Sequence, residues 1–195
     1  MTTKNKMLLV ALILGATTNI ALGLEKNTPE QQAKLNEKFL WAAYMGDYKK
    51  VEKFLKNGAN INAKDKKYSQ TALHRAASNA SPMYLDTNKE YLKIVSILIE
   101  NGIDHNSQIK YEGTAAHLAA KNCNEEMLRF MYKKGVNLTT KNSWKESPSD
   151  RAQKTYSSMR FQDRDIKDSW AQSIVPYCEA TIAFLEEIEK AQKNQ

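Results

Sequence analysis

The sequence predicts an all-α chain: about four helix-turn-helix units stacked side by side. Three observations predict it. The phrase TALHRAA at 71–77 returns forty-three residues later as TAAHLAA at 114–120. Thr114 to Gly135 spans twenty-one positions, and so does Glu37 to Gly58. Gly102 to Gly135 and Thr114 to Ser147 each span thirty-three. A catalytic motif rarely recurs within one chain, whereas a structural unit that needs neighbours often does.

The elements follow in order. Residues 1–23 read as a secretory leader: a short basic start with Lys4 and Lys6, the apolar run MLLVALILGA, and small residues Ala21 and Gly23 before a cleavage point. That run is too short to span a bilayer. The folded domain is then 24–195, with units near 36–65, 66–108, 109–141 and 142–192. Thr28 is an N-cap and Pro29 takes the first helical position of the opening helix, which turns Lys34, Glu37 and Lys38 to water. In the second unit Thr71 caps a helix whose Leu73, Ala76 and Ala77 share one face. Its partner helix buries Leu92, Val95, Ile97, Leu98 and Ile99. Thr114 opens the third unit in the same way, and Ser147 with Pro148 opens the fourth. Gly58, Gly102 and Gly135 stand where a helix stops in a left-handed conformation. The last helix, starting near Pro176, turns Ile182, Leu185 and Ile188 inward and Glu186, Glu187, Glu189 and Lys190 outward, as a closing cap. Two insertions, 80–89 and 154–167, fall between the helices of their units. Their apolar residues Met83, Tyr84, Leu85, Tyr156, Met159 and Phe161 either plug local gaps or form a second contact surface.

This period and these phrases resemble the ankyrin repeat, a unit of about 33 residues carrying T-P-L-H-x-A. TALHRAA, TAAHLAA and NGANINAKD at 57–65 carry the likeness, which covers about 36–152 and continues more weakly to the C-terminus. The family's proline is replaced by Ala72 and Ala115 and survives as Pro148. The resemblance implies that His74 and His117 hydrogen-bond within their T-x-x-H segments and tie the adjoining loops, without a catalytic or metal role. It also implies hairpin-like loops between the units, and a concave face of loop tips and first helices that holds another protein.

Composition narrows the function. Of 29 basic residues 24 are lysine, against 22 acidic residues, so the chain is basic without the arginine that favours bidentate phosphate contacts. Without the leader the charge is 27 − 22 = +5. An even cysteine count in an exported chain suggests one disulfide, the alternative being two separate small core residues. Within the ankyrin register, Cys123 stands where the pattern has glycine and Cys178 falls near the start of the next unit's second helix. That register makes them neighbours, and a bridge would staple the cap to the third unit. Counted back from each cap, the third residue is Tyr68, Tyr111 and Trp144, one aromatic per loop. With Lys67, Gln70, Lys110, Glu112 and Lys145 they make the candidate partner-binding set, since tyrosine and tryptophan are favoured in binding hot spots. The row could equally pack its rings on neighbouring loops. An acidic protein surface complements the lysines; nucleic acid is the weaker partner for an exported chain.

No phosphate loop, nucleophile elbow or metal-ligand spacing emerges, with His74, His105 and His117 scattered and Asp163 and Asp165 a solvated pair on a loop. No catalytic residue, cofactor or metal is expected, nor stable membrane insertion after the leader is removed. The expectation is a monomeric exported binding protein, periplasmic or secreted, acting as scaffold, inhibitor or protector. A secreted effector acting on a host protein, or an enzyme with its site in 154–167, are the alternatives.

Overall fold

The computed structural model describes residues 27–162 and 169–194. The expected leader and the pair Asp163 and Asp165 lie outside them. Among the described residues the secondary structure is helical: α1 Pro29–Tyr44, α2 Tyr48–Lys56, α3 Ala72–Asn79, α4 Leu85–Glu100, α5 Ala115–Lys121, α6 Glu125–Lys133, α7 Pro148–Gln162 and α8 Ser169–Lys193. The chain divides into two compact units, with the boundary inside α1 between Lys34 and Leu35, and every repeat lies in the second.

The helix starts are set by side chains that satisfy orphan amides. The Gln31 N–H donates to Thr28 Oγ1 at 3.2 Å and the Thr28 N–H donates to Gln31 Oε1 at 2.8 Å, a reciprocal capping box. Asp47 and Asn124 cap α2 and α6 by accepting from the Lys50 and Met127 N–H groups, each at 3.0 Å. At α7 the Ser147 N–H donates to Asp150 Oδ2 at 2.7 Å, so an aspartate takes the place of the histidine of the two earlier units. The outer helices α2, α4 and α6 end at Gly58, Gly102 and Gly135, whose φ values of 85°, 79° and 84° belong to the left-handed region.

Within the second compact unit, α3, α5 and α7 pack in one row and α2, α4, α6 and α8 in another. The inner row is lined by Ala72, Ala76, Ala77, Ala115, Ala116, Ala119, Ala120 and Ala152, all buried, and such small side chains let backbones approach closely. The bulk comes from the outer row: Val51, Ile94, Val95, Leu98, Met127, Leu128, Met131 and Leu185 are each at most 1% exposed. Burying each of these stabilises by about 1.5–3 kcal/mol before entropy is charged.

Polar side chains tie each layer to the next in a repeating register. Asn79 Nδ2 donates to the Tyr44 carbonyl at 2.7 Å, Asn122 Nδ2 to the Ser78 carbonyl at 2.8 Å, and Thr155 Oγ1 to the Lys121 carbonyl at 3.1 Å. Each donor sits eight residues after its cap, and each acceptor sits near the end of the preceding inner helix. In the other direction, His74 Nε2 meets the Gly113 carbonyl at 3.3 Å and His117 Nε2 the Glu146 carbonyl at 3.0 Å. The two histidines therefore occupy successive layers, as the ankyrin resemblance implies.

Three expectations are corrected. The loop in the second unit is confined to 80–84, because 85–89 form the first turns of α4, which has 16 residues where α2 and α6 have 9. Extending a helix satisfies backbone groups that a long loop would leave to water. Residues 154–162 likewise continue α7, so the proposed insertion at 154–167 is helical over its described part. Pro176 lies inside α8 and does not start it; apolar burial runs through it, from Ile174 and Cys178 to Ile182 and Leu185, and that packing offsets the missing hydrogen bond. The loops are hairpin-like, as expected: Ile109 and Gly113 form an isolated antiparallel bridge, and the first tip closes with the Asp65 N–H donating to the Gln70 carbonyl at 3.0 Å.

Cys123 and Cys178 are joined in a disulfide with Cα atoms 4.5 Å apart. Cys178 sits near the middle of α8, where the earlier start of that helix places it. Both cysteines are fully buried with Ile174, and Met83, Tyr156 and Met159 pack against them. Apolar residues of both supposed insertions thus fill the space around one bridge, while Tyr84 and Leu85 stay exposed. The Phe161 side chain lies outside the described residues.

Candidate functional site

Each loop tip is a small rigid construction. In the first, Asp65 Oδ1 accepts from the Lys67 and Tyr68 N–H groups at 2.9 and 2.7 Å, and Oδ2 accepts from Gln70 N–H at 2.9 Å. Burial pushes the Asp65 carboxyl up, but these amide bonds and the Arg75 guanidinium at 3.5 Å outweigh it and hold the group below its ordinary range. The third tip repeats the design with a neutral residue. Asn142 Oδ1 accepts from Trp144 and Glu146 N–H groups at 2.9 and 3.0 Å. Ser69 and Lys145, two residues before their caps, both take positive φ, whereas in the second tip Tyr111, three before its cap, and Gly113 do so.

This scaffolding decides where the predicted residues stand. Tyr68, Tyr111 and Trp144 are 56%, 44% and 53% exposed, one per tip. Lys67 Nζ lies 4.8 Å from the Tyr68 ring centre, and Lys110 Nζ lies at the same distance from Tyr111. Tyr111 and Trp144 stack on each other with centroids 5.3 Å apart and planes 20° from parallel. Arg151 lies 5.9 Å from the Trp144 ring, while Lys145 is exposed. Gln70 is half-buried and its backbone closes the first tip.

Glu112 is turned inward. It accepts from Arg151 at 2.9 Å and Lys121 at 3.4 Å. Arg151 also reaches Glu146 at 3.5 Å, and Glu146 accepts from Lys154 and from Asn142 Nδ2. The Lys154 hydrogen bond is the main reason the Glu146 carboxyl is held below its ordinary range. Five charged groups on α5, α7 and two tips thus form one network that fixes the tips to the inner helices.

The sequence reading missed two aromatics and the two arginines. Trp41 and Tyr44 on α1 are 57% and 36% exposed and stack with centroids 5.3 Å apart. Arg75 lies 5.9 Å from the Tyr44 ring while pairing with Asp65. Aligning the AA pair of FLWAA with that of TALHRAA puts Trp41, Arg75, Leu118 and Arg151 at one helix position. The signal was therefore available once the register was applied to the first helix as well as to the loops.

His74 and His117 serve the frame. Backbone N–H can only donate, so His74 Nδ1 accepts from Thr71 N–H at 3.4 Å and Nε2 donates to the Gly113 carbonyl. His117 repeats this with Thr114 N–H at 3.1 Å and the Glu146 carbonyl. Burial, outweighing the carbonyl bond, pushes His74 down to about 4 and pushes His117 in the same direction.

Among the described residues, no three His, Cys, Asp or Glu side chains come together as a metal site, and no helix is long and apolar enough to cross a membrane. The face offers anchored aromatic edges and lysines on a preformed frame, an arrangement that suits binding to a surface. No curated protein matches the chain. A family model described as ankyrin repeats (3 copies) matches residues 39–142, more than half of the sequence. Such repeats are generally protein–protein interaction modules. With stacked T-x-x-H layers and a match of that length, the chain belongs to the ankyrin-repeat family.

Proposed function

We propose that the protein is an exported, monomeric, non-enzymatic module that holds one protein partner on its loop tips and inner helices. It acts in the periplasm or outside the cell as scaffold, inhibitor or protector. One observation carries this reading: three aromatic side chains, one per tip, stand about half exposed on tips whose backbones are held by Asp65, Asn142 and the Arg151 network. A preorganised, aromatic surface loses little entropy on binding. The leader-like start and the Cys123–Cys178 bridge support an oxidising destination.

The test is a pull-down from the producing cell's periplasm and medium, repeated with Tyr68→Ala, Tyr111→Ala and Trp144→Ala combined. These side chains are exposed, so circular dichroism and thermal unfolding should change little. Affinity for the captured protein should fall by about a hundredfold, as for truncated hot spots. Binding that survives the triple change rejects this face.

A further inference from the structure

The inference concerns the chemistry of the partner and rests on the protein-binding reading of the same tips. Taking the tips as 64–70, 107–113 and 140–146, their charged residues are Lys64, Asp65, Lys66, Lys67, Lys110, Glu112, Lys141, Lys145 and Glu146. All six lysines are exposed, and among the described residues none forms an ion pair. The three acids are already used. Asp65 is bonded to three amides and Arg75, Glu112 to Arg151 and Lys121, and Glu146 to Arg151 and Lys154. The tips therefore present uncompensated positive charge outward, although their composition is mixed.

The tips are also held at a set pitch. Just before the first two tips, Asp104 N–H donates to Asn62 Oδ1 at 2.8 Å; between the second and third, Gln108 Nε2 donates to the Lys141 carbonyl at 3.3 Å and Asn142 Nδ2 to the Tyr111 carbonyl at 3.1 Å. The inner helices beneath them pack directly, which spaces successive tips by about 8–10 Å. A polypeptide in the extended polyproline II conformation advances about 3.1 Å per residue with about three residues per turn, so every third side chain faces the same side and meets a new tip about 9 Å further on. We propose that the tips bind an extended acidic polypeptide segment lying across the repeats, with a carboxylate at about every third position.

The same geometry disfavours a polyanion such as single-stranded nucleic acid. Base stacking needs free aromatic faces. Tyr111 and Trp144 each give one face to the other, with Lys110 and Arg151 beside those rings, and Lys67 lies over one face of Tyr68. Arg75 and Arg151, the groups suited to bidentate phosphate capture, are committed to carboxylates.

Fluorescence anisotropy with the purified, disulfide-intact protein tests this. Two labelled peptides of about nine residues share one composition: one has Glu at every third position, the other has its three Glu together at one end. The spaced peptide should bind at least about fivefold more tightly, weaken as salt rises, and weaken by about tenfold or more against Lys66→Glu, Lys110→Glu and Lys145→Glu combined. These exposed substitutions should leave the circular dichroism spectrum unchanged. Equal binding of the two peptides overturns the proposal, as does indifference to the charge reversal. An oligo-dT strand that binds more tightly than the spaced peptide also overturns it. A protein partner lost by the aromatic triple variant but kept by the lysine-reversed one would sink this inference and leave the binding face standing.

Discussion

At the residue scale, Gly113 is the most tightly enclosed of the described glycines. Its φ is 86°, and a Cβ there would meet His117 Cγ at 2.8 Å and Asn142 Cβ at 2.9 Å. Both neighbours are held, His117 by Thr114 and the Glu146 carbonyl, Asn142 by its tip. Neither can move without breaking its own bonds. Gly113→Ala should cost about 2–4 kcal/mol, combining left-handed strain with overpacking. Gly58→Ala, with φ 85° but open space around it, should cost only about 1–2 kcal/mol, from the strain alone. Urea unfolding of the two variants separates the contributions. His74 supplies a pH dependence. It is neutral and buried when folded, and its value falls from 6.5 to about 4, so between those values the unfolded chain binds the extra proton. The stability is fully present above about pH 6.5 and is lost as pH falls towards 4. The loss between pH 7 and pH 5 should be about 2 kcal/mol from His74, with His117 adding in the same direction. Urea midpoints at the two pH values measure it, and His74→Gln should flatten the profile.

At the scale of elements, α8 differs from the other outer helices. It has 25 residues, contains Pro176, and is tied by Cys178 to the turn between α5 and α6. Its C-terminal half is held by packing: Phe184 meets Tyr132 edge to face with centroids 6.2 Å apart, and Arg129 lies 4.2 Å from the Phe184 ring. Ile174 packs at the bridge itself. Cys123→Ala with Cys178→Ala should therefore destabilise the last unit more than the first. The bridge closes a sequence separation of 55, which in the chain-entropy model is worth about 4 kcal/mol. Hydrogen exchange should show faster opening in α7 and α8 than in α3 to α6. Uniform acceleration across all helices would show instead that the whole stack unfolds as one.

At the scale of the molecule, no pair of helices buries its own surface. α3 needs α5, α5 needs α7, and each junction carries a forward histidine bond and a backward amide or hydroxyl bond. Stability is then a sum over junctions, and the binding face exists only because several junctions hold at once. The aromatic triple and the lysine reversal are tests at this scale, because each changes one residue per layer and leaves the histidine, amide and hydroxyl bonds of the junctions untouched.

The repeated caps, alanine pairs and terminal glycines, read from the sequence by itself, determined the helix pairs and their stacking. Those features act over three or four neighbours, where residue spacing and helix geometry are coupled directly. The exposed row Tyr68, Tyr111 and Trp144 was legible for the same reason. Only the tertiary structure decided that Tyr111 and Trp144 stack, that Arg151 draws Glu112 and Glu146 inward, and that Pro176 is carried inside a helix. It also turned parts of both apparent insertions into longer helices around one disulfide. These outcomes depend on groups brought together from distant layers, whose burial and pairing energies outweigh what the local sequence prefers.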